Sequence, residues 1–154
     1  MKTDYIFPIQ VSEKARTLGY TPDKLPLLFL VPFVKVAWAE GHVQANEQKA
    51  ILSFAVNLSV GPDHADYEKL LKWFDERPDE EFFARSIEDL RELLASIPPK
   101  QAVRLRMMLQ FGCVEVAHAS GDIGLLRGRS NIRREEREEL QRIGERLGLD
   151  HSRV

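Results

Sequence analysis

The sequence predicts an all-α protein: a single helical bundle of about seven helices, built on an internal pseudo-twofold repeat of helical hairpins. Three observations predict it. Apolar residues recur at helical spacing through most of the chain, while the strict alternation of a half-buried strand is scarce. Glycines and prolines punctuate the chain at intervals that suit helices of ordinary length. Two segments, VAWAEGHVQANEQKAIL (36–52) and VAHASGDIGLLRGRSNIRREEREEL (116–140), share one pattern of helix ending and helix restart.

In chain order, a short amphipathic turn is expected over Ser12 to Leu18, ended by Gly19. The segment before Ser12 is expected to be partly extended. Thr21 is the expected N-cap of a long apolar helix, with Pro22 at its first position. That helix runs to about Glu40, bends near Pro32 and stops at Gly41, whose left-handed conformation ends a helix cheaply. A second helix is expected from Ala45 to Val60, with Ile51, Phe54, Ala55 and Leu58 on one face. Gly61-Pro62 breaks it. Asp63 is placed to cap the next helix, striped by Tyr67, Leu70, Leu71 and Phe74 and ended by Pro78.

Phe82 and Phe83 fall in a short helical turn, and Ser86 with Asp89 approximates a capping box for the helix through Ile97. After Pro98-Pro99 a long helix is expected from Lys100 to Ser120, then the loop GDIGLLRGRSN, then a last helix from Arg133 to Leu147 stopped by Gly148. No Pro/Ser-rich linker divides the chain. Residues 1–20 read as an N-terminal arm with a short helix and residues 21–150 as one helical domain.

The chain has 154 residues, 44 % apolar and 30 % charged, with a formal charge of −2, so no strong field selects a polyanion. Cys113 is the only cysteine; an intrachain disulfide is excluded, and its apolar neighbours make it a small core residue. The start MKTDYIF, with Asp4 where an apolar segment would begin, gives no secretory signal, and a cytoplasmic location is expected. The most apolar run, Leu25 to Trp38, contains Lys35 and two prolines and is too short for a membrane span. A place at the membrane periphery stays open without support.

In register, Val36 matches Val116, Ala37 matches Ala117, Ala39 matches Ala119 and Gly41 matches Gly121. With a longer loop of nine residues allowed in the second copy, Val43 matches Ile132, Glu47 matches Glu136, Ile51 matches Leu140, Leu58 matches Leu147 and Val60 matches Leu149. Each copy is a helix of small residues at its end, a glycine stop, an aliphatic residue, a glutamate four positions on, and a second helix. This pattern resembles the TerB-like family, the all-helical tellurite-resistance domain, over Leu25 to Leu149. Glu40 stands where that family carries Asp. Ser120 lacks the charge in the second copy, with Asp122 nearby in its place. The resemblance implies a duplicated seven-helix architecture and a stress-linked, metal-responsive or partner-binding module.

Around the two turns lie Glu40, His42 and Glu47, then His118, Asp122 and Glu136. The carboxylates suit Ca²⁺ or Mn²⁺, and the imidazoles draw such a site toward Zn²⁺. A divalent ion of that kind is the one cofactor expected. A glutamate in a first helical turn also has a purely structural use, since it meets the positive end of the helix. Glu115 and His118 have the spacing of di-iron carboxylate bundles, but the matching positions Lys35 and Trp38 do not ligate. Arg127, Arg129, Arg133 and Arg134 are followed at once by Glu135, Glu136, Glu138 and Glu139, which reads as a solvated face rather than a nucleic-acid surface.

No nucleophile motif, P-loop or dinucleotide fingerprint occurs. The expected function is therefore a non-enzymatic module that binds a divalent cation, a protein partner or both through its acidic turns. The alternative is a metalloenzyme with a carboxylate/histidine site around Glu115, His118 and Asp122. A third reading gives partner binding to the loop from Gly124 to Arg129, where Leu125 and Leu126 would be the contact residues.

Overall fold

The computed structural model describes residues 9–119 and 134–149. Among these residues the chain is all-helical, with no strand: α1 (Ile9–Thr17), α2 (Leu25–Ala37), a 3₁₀ turn (Trp38–Glu40), α3 (Ala45–Asn57), α4 (Tyr67–Asp75), α5 (Glu80–Ala95), α6 (Pro99–Ala119) and α7 (Arg134–Leu147). None of these helices is long and apolar enough to cross a membrane.

α2 is the axle of the bundle. Every one of its residues except Lys35 is buried, which is the signature of a helix with neighbours on all sides. It touches α3, α4, α5, α6 and α7. It packs tightly on α6, where Gly112 faces the ring of Phe33: a Cβ at residue 112 would overlap that ring. Phe33 in turn packs on Phe54 of α3 at a centroid distance of 5.1 Å. α1 docks on the bundle through Val11 and Ala15, both fully buried. Residues 9–11 are helical, so the first helix starts earlier than the sequence suggests. Cys113 is a core residue, and burial pushes its thiol pKa up.

Three further helix starts differ from expectation, each for a local reason. α2 begins at Leu25, not Pro22: the hydroxyl of Thr21 donates to Asp23 instead of capping a helix, and Lys24 N–H closes a turn onto Thr21 C=O at 2.9 Å. Pro26 then occupies the first turn, where its missing N–H is no loss. α4 begins at Tyr67 with Asp66 as its N-cap residue, not Asp63, because turns from Gly61 to Tyr67 extend the break. α5 is one helix, with no separate turn at Phe82 and Phe83. Asp79 caps it by accepting the Phe82 N–H at 2.7 Å. Ser86 is therefore not a cap. It lies in the middle of α5 and is buried.

The expected stops are found where they can be seen. Gly41 has φ +92° and its N–H reaches Trp38 C=O at 2.8 Å, turning the chain from α2 toward α3; Gly148 ends α7 with φ +74°. Gly121 and the loop that follows α6 lie outside the described residues.

A candidate cation site at the acidic corner

Three glutamates reach one corner from three different places in the chain. Glu40 closes the 3₁₀ turn after α2, Glu47 stands in the first turn of α3, and Glu136 in the first turn of α7. Local sequence explains each position. Gly41 ends the first helix, so Glu40 sits at its carboxyl end. Gln44 and Glu47 form a capping box, in which Glu47 Oε1 accepts the Gln44 N–H at 2.9 Å. Contact between the 3₁₀ turn and α7 then brings Glu136 to the other two. One carboxylate oxygen from each of Glu40, Glu47 and Glu136 lies within 4.8 Å of the others.

Burial makes this arrangement consequential. Glu47 and Glu136 are fully buried, and Glu40 is half-buried. Oε2 of Glu47 finds no hydrogen-bond donor while the surrounding carboxylates are ionised. Burial first, and then a hydrogen bond shared with Glu136, pushes the Glu47 carboxyl up to about 9. Both effects favour the protonated form of Glu47 over its ionised form. The positive ends of α3 and α7 favour their first-turn glutamates, whereas Glu40 at a helix carboxyl end has the dipole against it. A hard divalent cation would satisfy both the orphaned Glu47 oxygen and the crowding of negative charge. The donor set is all oxygen, which fits Ca²⁺, Mg²⁺ or Mn²⁺.

The structure does not bring every sequence candidate here. His42 and His118 are both exposed and neither joins the carboxylate group. The imidazole argument for Zn²⁺ is correspondingly weakened. Glu115 is exposed as well, so the Glu115/His118 pair sits on an outer face of α6. Asp122, Leu125, Leu126, Arg127, Arg129 and Arg133 lie outside the described residues.

Two features were not visible in the sequence. Lys35, the one unburied residue of α2, still has only 11 % of its side chain exposed and pairs with Glu139 Oε2 at 3.1 Å. Arg142 also reaches Glu139, at 3.5 Å, and Lys35 lies over the Phe83 ring. The second feature is an apolar stripe on the outside of α6. Val103, Met107 and Phe111, spaced by one helical turn, are each more than half exposed. Their spacing does mark one face, but sequence does not say that so much of the face stays exposed, with Phe111 touching Phe54 of α3 at its edge. In comparisons with known proteins, no family model, no curated protein and no solved structure matches this chain.

Proposed function

We propose that the chain is a non-enzymatic, TerB-like helical module of the cytoplasm, tied to stress or tellurite resistance, that holds a divalent cation at the Glu40/Glu47/Glu136 corner and uses it to engage a protein partner. One observation carries this reading: three carboxylates from separate helix ends converge within 4.8 Å around a fully buried glutamate whose outer oxygen has no donor. The repeat adds support. Five of its pairs, Val36/Val116, Ala37/Ala117, Glu47/Glu136, Ile51/Leu140 and Leu58/Leu147, are buried at both members, while Ala39/Ala119 is half-buried at both and Val60 is buried where Leu149 is half-buried. The exposed α6 stripe supports the partner half of the reading.

The test is calorimetric titration of Ca²⁺, Mn²⁺ and Zn²⁺ into chelator-treated protein, alongside Glu47→Gln. Stoichiometric binding of an oxygen-preferring ion, weakened at least tenfold in the variant, is the expected result. Absence of measurable affinity for all three ions, or equal affinity in the variant, overturns the cation site.

A further inference from the structure

We propose that a second, unrelated site binds a small amphiphilic monocarboxylate: an apolar body ending in one carboxylate group. It is a cleft of about 260 Å³ where the α1–α2 connection meets α2, α4 and α5. That volume lies just below the roughly 300–1,000 Å³ of clefts that accept drug-sized ligands, which sets the size of the occupant. The cleft shares no residue with the acidic corner, so it stands or falls independently of the cation reading.

The chemistry of its walls selects the ligand. Leu27, Leu28 and Val31 of α2 form an apolar floor, and Trp73 of α4 with Phe82 of α5 form a wall, their rings 5.4 Å apart. No acidic side chain lines the cleft. Lys24 and Lys69 do line it, and they differ. Lys24 is already engaged by Asp66 at 2.6 Å, whereas Lys69 is exposed and makes no ion pair with any described residue. Among the described residues the mouth therefore carries one positive charge without a paired acid.

Ser86 gives the second, independent observation. It is 4 % exposed, lines the cleft, and makes no hydrogen bond to any described residue. Its oxygen is not sealed from the cleft, so this mid-helix serine presents a hydroxyl without a described protein partner to whatever fills the space. Tyr20, at the same rim, is not available, because its hydroxyl donates to Asp89 at 2.6 Å. One free cation and one free hydroxyl beside an apolar floor match a singly charged carboxylate on an aliphatic or aromatic stem. Phosphate esters are a poorer match, since no arginine fork lines the cleft and only one of its two lysines is unpaired.

The probe series is hexanoate, octanoate and dodecanoate, with octanol and octylamine as the uncharged and cationic controls. Binding is measured by calorimetry on the full chain and on Lys69→Met and Ser86→Ala. Octanoate is expected to bind at one site, more tightly than octanol, and octylamine not at all. Affinity is expected to rise by roughly fourfold per methylene and then level off once the cleft is filled. Lys69→Met is expected to weaken octanoate about tenfold while leaving octanol unchanged; Ser86→Ala weakens octanoate to a lesser degree. Failure of octanoate to bind overturns the proposal. So does binding that ignores both substitutions, or that climbs with chain length without levelling off, since either marks nonspecific adsorption.

Discussion

Glu139 and Glu47 are buried to nearly the same degree and live in opposite electrostatic surroundings. Glu139, 6 % exposed, has Lys35 at 3.1 Å and Arg142 at 3.5 Å. Glu47, fully buried, is acted on by the Gln44 N–H and by two further carboxylates, Glu136 and Glu40. The first glutamate is explained by the fold itself: its charge is matched by cations that the same fold brings to it. The second is matched only by a proton, or by an ion from outside. A buried acid beside bases is accounted for within the fold; a buried acid beside acids is what the proposed cation would answer.

The largest effect that can test this contrast is at the matched pair. Lys35→Met keeps the apolar stem but removes the main cation from Glu139, and is expected to cost about 3 kcal/mol in chemical denaturation. Adding Glu139→Leu to it should restore much of that loss, because no buried charge is then left without a partner. A Lys35→Met protein as stable as the parent would show that Arg142 suffices and would blur the comparison.

Next is cation linkage at the unmatched site. Mn²⁺ or Ca²⁺ at about a hundred times its Kd should stabilise the folded chain by about 2.7 kcal/mol. At one fixed ion concentration the gain is expected to be larger at pH 8 than at pH 6, because the ion competes with the proton on Glu47 and its Kd falls as pH rises. Thermal melts in chelator and in metal, at both pH values, measure this directly; equal gains at both would detach Glu47 from the ion.

A smaller effect is expected from the proton alone. The Glu47 carboxyl lies above its ordinary 4.5, at about 9, so the folded chain holds a proton that the unfolded chain has released. Its contribution to stability is therefore complete below pH 4.5 and is lost as pH rises toward about 9. Glu47→Gln imitates the protonated acid and keeps an acceptor for the Gln44 N–H. In chelator it should be more stable than the parent at pH 8, with the advantage shrinking as pH falls to 5. With saturating Mn²⁺ the order at pH 8 should reverse, and curves that never cross would leave the glutamate a hydrogen-bonded acid with no ion to hold.

The smallest effect sets the baseline. Lys72 and Glu76 on α4 form an ion pair at 3.9 Å with both side chains about two-thirds exposed. Lys72→Met should shift stability by less than about 0.5 kcal/mol. Measured beside Lys35→Met, it separates the consequence of burial from the consequence of pairing.

Much of this architecture was legible in the chain. The apolar run from Leu25 announced a helix buried on all sides, and Gly41 announced its end. Glu47 and Glu136 were singled out as equivalent first-turn glutamates. Their meeting with Glu40 was not legible, because it depends on how α7 returns to the 3₁₀ turn after a long excursion. The helix starts at Leu25, Tyr67 and Glu80 were misplaced by competition among nearby capping groups. Thr21, Asp63 and Ser86 each look like caps, yet Thr21 spends its hydroxyl on Asp23, while Asp66 and Asp79 take the N-cap positions of α4 and α5. His42 and His118 were plausible ligands by proximity in sequence, but both point to exposed surface.

By itself, the sequence determined that this chain is helical, where most of its helices lie and which faces they bury, because periodicity and backbone stops act over a few residues. Only the tertiary structure decided which buried charges meet their opposites. Lys35 reaches Glu139 across the bundle, Glu47 reaches Glu136, and Ser86 opens onto the cleft beside Lys69, all through contacts between helices distant in the chain. The reason is range: capping and amphipathicity are local, whereas desolvation makes a charge matter only after packing has removed its water.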